Sequence, residues 1–232
     1  MSEDLHHRTF SARLDCHYLL RLPDTIDSRT LLVLTLHGFG QSAEIMMPLT
    51  TRMFGPHHAV AALQGPNQFF LDNTVSQVGY GWNTNRHSAS SIRLHHDMVR
   101  QVLNDAGREY GIPPERRILV GFSQPVSLNY RFVATCQDEV RGVVGVCGGL
   151  PGDWETGAYL PVSAAVLHIA RRQDEFYSPS VTEQYPQRLR IRVKDVEFHL
   201  LEGGHTFPSK GNALVEGWLR RILDWSSAAQ GV

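Results

Sequence analysis

The stretch Arg117 to Tyr130, R-I-L-V-G-F-S-Q-P-V-S-L-N-Y, constrains this chain more than any other. A short apolar run with β-branched members, Ile118 to Val120 and then Gly121, leads through Phe122 to a serine and then to a segment with helical character. A strand that turns sharply into a helix lifts the residue at the turn above the sheet, and a serine held there is a nucleophile elbow. Ser123 is therefore the candidate nucleophile, against the plainer reading of a serine that caps a helix. The usual elbow is G-x-S-x-G, and here Pro125 replaces the last glycine. Proline is accepted in a first helical turn, where its missing N–H has no intrahelical partner, but it pushes the preceding residue, Gln124, away from the helical region of backbone space. The N–H of the residue after the nucleophile, Gln124, is the elbow's oxyanion donor, and Pro125 does not delete it.

Several other apolar runs have the length of strands. Leu31 to Leu36, L-L-V-L-T-L, is nearly continuous, as expected of a strand buried on both faces of a parallel sheet. Ala59–Leu63, Val140–Cys147 and Ala164–Ala170 read the same way, Ser11–Leu22 as an early strand, and Val193–Leu201 as a final strand with alternating character. Helical spacing marks residues 91–110, 180–189 and the amphipathic Leu214–Leu223, and also 43–54, where Pro48 is expected to break or kink the helix. Residues 67–90 lack a convincing period and collect Phe69, Phe70, Tyr80 and Trp82 in a long loop. The fold class is α/β, with a mostly parallel central sheet and helices on both faces. One domain over residues 1–232 is expected, its core at about 11–225 between short polar tails.

Composition narrows the function. Lys+Arg 22 against Asp+Glu 23, with no basic run, argues against nucleic acid as a partner. The polar start M-S-E-D-L-H-H-R lacks a signal-peptide core and no later run approaches a membrane span, so a soluble cytoplasmic protein without integral membrane association is expected. Cys16, Cys136 and Cys147 lack C-x-x-C spacing and read as buried free thiols. His95 and His96, adjacent on a helix and expected to face different ways, make a poor metal pair.

The ends of the strands gather the remaining candidates. L-T-L is followed by H-G-F-G-Q-S, a glycine-bounded loop that lets backbone N–H groups turn toward a substrate oxygen. Phe39 N–H is the second oxyanion donor, His37 is a structural histidine, and Ser42 suits an N-cap. Asp174 falls just past the strand 164–170, ahead of its competitors Asp153 and Glu175. His205 stands beyond Gly203 and Gly204, after the last strand. Ser123, Asp174 and His205, each after a different strand, follow the chain order of the α/β-hydrolase triad. Trp82 and Phe176 are the candidate substrate-pocket residues; the loop aromatics either wall a pocket or anchor the loop on the core.

The segments L-H-G-F-G-Q-S, G-F-S-Q, R-R-Q-D-E-F-Y-S-P and G-G-H-T-F-P resemble the phospholipase/carboxylesterase family of serine hydrolases, which includes lysophospholipases and acyl-protein thioesterases. The resemblance runs from about Leu31 to Leu223. It implies a compact α/β-hydrolase fold, an ester- or thioester-cleaving triad of Ser123, Asp174 and His205, oxyanion amides at Phe39 and Gln124, and no metal or organic cofactor. Two departures stand out: Pro125 in place of glycine, and asparagines in G-Y-G-W-N-T-N-R where the family places an acidic residue nearby.

The leading expectation is a serine hydrolase acting on a small ester or acyl substrate through an acyl-enzyme on Ser123, its activity lowered or confined to reactive esters by Pro125. The alternative is a hydrolase-like binding or regulatory scaffold that lost turnover through Pro125. A dienelactone-type or carbon–carbon hydrolase would use the same triad. Metal-dependent hydrolysis ranks last, for want of H-E-x-x-H spacing among the twelve histidines. A homodimer would use exposed apolar residues near the aromatic loop as well as a substrate would.

Overall fold

A computed structural model describes residues 6, 8–73, 76–208 and 211–224. In chain order the elements are β1 (Tyr18–Arg21), β2 (Leu32–Leu36), α1 (Ala43–Phe54), β3 (Ala59–Leu63), β4 (Asn67–Phe70), β5 (Val78–Gly81), α2 (Ser88–Glu109), β6 (Arg117–Phe122), α3 (Pro125–Thr135), β7 (Gly142–Val146), β8 (Ala165–Arg171), α4 (Pro179–Thr182), α5 (Tyr185–Leu189), β9 (Val196–Leu201) and α6 (Asn212–Ile222).

Seven strands form one sheet in the order β1-β3-β2-β6-β7-β8-β9. Only β1 is antiparallel, against β3; every other pairing is parallel. Every residue of β2, β3, β6 and β7 is buried, which is why their sequences are continuous apolar runs. Alternate side chains feed two cores. Leu32, Leu34 and Leu36 pack with α2 and α3, among them Val99, Leu103, Tyr130 and Phe132. Leu31 and Val33 pack with α1 and α6 on the other face, among them Met46, Val215 and Trp218. The result is the mostly parallel, doubly covered sheet of the α/β-hydrolase fold.

Several expected boundaries move. The early strand shrinks to β1, an edge strand with exposed and half-buried residues. Helix α1 runs through Pro48 without stopping. Residues 67–90 hold more order than their sequence suggests: β4 and β5 pair as an antiparallel hairpin, and α2 begins at Ser88. The helix expected over 180–189 is two short ones. Pro186 sits in the first turn of α5, and its ring and missing N–H bar a continuous helix from α4. The final strand begins at Val196, with Val193 in an isolated bridge to Val162. Of the thiols, Cys147 is buried, Cys136 half-buried and Cys16 exposed. The short polar tail expected beyond about residue 225 lies outside the described residues.

Candidate active site

Because β2, β6, β8 and β9 run parallel, the loops that leave them open on one edge of the sheet. Leu36 of β2 pairs in register with Gly121 of β6, so the Phe39 loop and Ser123 leave neighbouring strand ends. Arg171 of β8 likewise pairs with Leu201 of β9, which brings the Asp174 and His205 loops side by side.

At the end of β6 the chain turns in two residues. Ser123 has φ 63, the left-handed region that a non-glycine residue adopts at a cost, and its N–H continues the ladder to Val146 O at 2.8 Å. Helix α3 then starts at Pro125, where no intrahelical N–H is needed. Gln124 corrects the sequence expectation: it lies at φ −52 and ψ −46, inside the helical region, despite the proline that follows. The close approach of α3 to the sheet falls at Gly121, where an added Cβ would lie 2.7 Å from Asn129 Nδ2 and 3.3 Å from the Val126 backbone.

The three candidate side chains meet. His205 Nε2 is 2.9 Å from Ser123 Oγ, and His205 Nδ1 is 2.9 Å from Asp174 Oδ2. The other oxygen, Oδ1, accepts the N–H groups of Phe176 and Tyr177, each at 2.9 Å. Burial, the largest single influence on Asp174, opposes its charge, but hydrogen bonds from His205, Tyr177 and Phe176 together outweigh it and hold the carboxyl below its ordinary range. An ionised carboxylate only accepts, so Nδ1 carries the proton and Nε2 is left to accept from the serine hydroxyl. The His205 loop turns at Gly203, φ 118, and the His205 N–H donates to Glu175 Oε2 at 3.2 Å. Glu175, the exposed neighbour of Asp174, thus ties down this loop. Asp153 is elsewhere, in an ion pair with Arg131 at 2.7 Å.

Around the imidazole stand groups that the sequence reading did not single out. Phe122 and Tyr177 lie against it at ring-centroid distances of 5.1 and 5.8 Å. Phe176, which the sequence did mark, meets it edge-on at 4.8 Å and is 71% exposed. Cys147 donates its thiol to Thr206 O at 3.7 Å; burial first, then the Asp174 charge, push this thiol up to about 12. Its sulfur and the ligand atoms of Asp174 and His205 lie within 4.8 Å of one another, but the Asp174–His205 bond already engages the other two.

Phe39 stands in the loop that leaves β2, and Gln124 follows Ser123 at the start of α3. Among the described residues neither backbone N–H donates to a protein acceptor. The Phe39 loop is held from below by His37, whose Nδ1–H donates to Gly38 O at 2.8 Å while Nε2 accepts Gly65 N–H at 2.9 Å. Ser42 occupies the N-cap position of α1 without a side-chain cap; Gln64 Oε1 takes the Ala43 N–H instead. Of the two uses open to Trp82, anchoring is the one its burial fits: the indole is 1% exposed and donates to His37 O at 2.7 Å. His95 and His96 do not diverge as expected, for their Nδ1 atoms are 3.1 Å apart. Successive helical positions differ by about 100°, but both rings lean onto α3, His95 bonding Asn129 and His96 meeting Phe132.

A parallel sheet with a strained serine above its centre, facing an imidazole and a carboxylate from later strands, defines the α/β-hydrolase class by its fold. The chain belongs to the phospholipase/carboxylesterase family, whose model matches residues 23–221. Solved structures share the fold. Esterase PE8 superposes with a TM-score of 0.72 at 20% identity, covering 90% of this chain and 100% of its own. The Bacillus cereus carboxylesterase gives 0.70 at 15%, covering 89% and 94%. Arabidopsis thaliana SOBER1 gives 0.67 at 20%, covering 84% and 99%. No curated protein matches the sequence. No helix among the described residues is long and apolar enough to cross a membrane.

Proposed function

We propose that the protein is a serine hydrolase that cleaves carboxylic esters or thioesters through an acyl-enzyme on Ser123. The observation that carries this reading is the unbroken chain from Ser123 Oγ to His205 to Asp174, 2.9 Å at each step. His205 takes the serine proton as Oγ attacks the carbonyl carbon, and Asp174 holds the tautomer and stabilises the imidazolium. The N–H groups of Phe39 and Gln124 receive the developing oxyanion, a donor of this kind contributing about 3 kcal/mol to the transition state. The leaving alcohol or thiol takes the proton from His205, and water, activated by the same imidazole, then releases the acid.

Phe176 and the half-buried or exposed apolar side chains near Phe39 form the acyl-contacting rim, with Trp82 acting beneath it as an anchor. The matched family supports a small-molecule ester substrate, and we place the enzyme in the cytoplasm. Hydrolysis of p-nitrophenyl esters of increasing chain length by wild type and Ser123→Ala tests the reading, together with fluorophosphonate labelling. Turnover and labelling that both vanish in Ser123→Ala are expected; turnover that survives the substitution would falsify the acyl-enzyme.

A further inference from the structure

We infer that the Gln124 side chain is a positioning residue, clamping its own backbone N–H into the oxyanion site against the push of Pro125. The inference rests on the hydrolase reading above. Gln124 stands in a backbone region that a following proline disfavours, because the proline Cδ crowds the preceding residue there. Something else must hold it, and its side chain is fixed at both ends. Oε1 accepts the Trp82 N–H at 2.8 Å, and Nε2 donates to Asn83 O at 2.9 Å. These are the N–H of one residue and the carbonyl of the next in a segment some 40 residues away in sequence, and together they fix the plane of the side-chain amide as well as its distance.

The same segment also holds the loop that carries the opposite amide. Tyr80 O accepts the N–H of Gly40, the residue after Phe39, at 2.8 Å. Segment 80–83 is itself immobilised: the Trp82 indole is buried and bonded to His37 O, at the root of the Phe39 loop, and Asn67 Nδ2 donates to the carbonyls of Gly81 and Trp82 at 3.3 Å. The Gln124 side chain and the Phe39 loop are thus both bonded to one piece of backbone. The spacing between them is set by residues 80–83, and Gln124 is the side chain that connects the elbow to that piece. An amide hydrogen bond is worth little to stability when solvent can replace it, but a donor displaced by a fraction of an ångström loses much of its effect on an oxyanion.

The test uses the full chain as wild type, Gln124→Met, Pro125→Ala and the double variant, with kcat, KM and the inhibition constant of a trifluoromethyl ketone, whose adduct places an oxyanion in the site. Gln124→Met is expected to lower kcat by about 10- to 100-fold, short of the loss that follows removal of a whole donor, with KM within about twofold and ketone affinity falling in step. With Pro125→Ala the push on residue 124 is relieved, and the same Gln124→Met change is expected to cost about threefold or less. Equal losses in both backgrounds, or a Gln124→Met enzyme with wild-type kcat, overturn the inference while leaving the hydrolase reading intact. A wild type that neither turns over esters nor binds the ketone overturns both. Should Gln124→Met not fold, Gln124→Asn makes the same comparison, since its amide stops one methylene short of Asn83.

Discussion

Tyr130 and His168 meet in the interior between α3 and β8, the phenol oxygen 2.7 Å from Nδ1, and each residue is 0% exposed. Burial keeps the phenol protonated, its pKa raised, and holds the imidazole neutral, its pKa lowered to about 3. The two neutral groups share one buried hydrogen bond, its direction set by the imidazole tautomer. Tyr130→Phe removes one partner and strands a buried imidazole nitrogen, an expected loss of about 1–3 kcal/mol. Urea denaturation monitors it. Neither side chain hydrogen-bonds Ser123, Asp174 or His205, so kcat of the folded variant at 25 °C should match wild type, and an unchanged urea midpoint would contradict this account.

Buried histidines set an acid limit. Burial is the first cause that lowers His58 and His96 to about 4 and His95 and His168 to about 3, with His57, Arg100 and His96 adding repulsion at His58, His96 and His95 respectively. In the unfolded chain these groups return to about 6.5, so below that pH the unfolded state binds more protons. Stability is present above pH 6.5 and is lost progressively as pH falls toward 4 and then 3; the lowered Asp174 acts in the same direction. Urea midpoints measured at pH 7.5, 6 and 5 should decline in that order. A flat or rising series would mean that these imidazoles are solvated.

Asp174→Asn leaves the shape of the site nearly unchanged but offers His205 Nδ1 an amide that either donates or accepts. The tautomer with Nε2 free to receive the Ser123 proton is no longer enforced, and kcat on p-nitrophenyl butyrate should fall about 10⁴-fold. Thermal stability should move far less than activity. A loss of tenfold or smaller would remove Asp174 from the proposed triad.

Gly121→Ala places a methyl 2.7 Å from Asn129 Nδ2 and 3.3 Å from the Val126 backbone. Either α3 or the elbow must shift, at about 1–3 kcal/mol for an overpacked site. Both the melting temperature and kcat should drop, because α3 begins two residues after Ser123. A variant that melts like wild type would show that α3 has room to move.

Much of this was legible because burial on both faces writes itself as uninterrupted apolar runs: Leu31–Leu36 and Ile118–Val120 announced central strands, and the residues just past them announced the site. The order Ser123, Asp174, His205 could be read for the same reason, as strand-end positions on one edge. Hydrogen bonding between side chain and distant backbone leaves no period. The clasp from Gln124 to Trp82 and Asn83 was invisible for that reason, and so was the hairpin Asn67–Gly81, whose strands are short and partly exposed. Gln124 itself shows a local rule overridden, since the backbone preference before proline yields to contacts made 40 residues away.

Strand β9 lies at the rim of the sheet with a single neighbour, and all six of its residues are only half-buried, whereas six of the seven residues of adjacent β8 are buried. The imidazole is delivered by the loop that leaves this strand. A rim strand peels before the centre of a sheet does, so heat or denaturant should silence the molecule while the central strands still stand. The turnover proposed for Ser123 is in that sense a gauge of one edge, and its loss is expected early in unfolding rather than at the end.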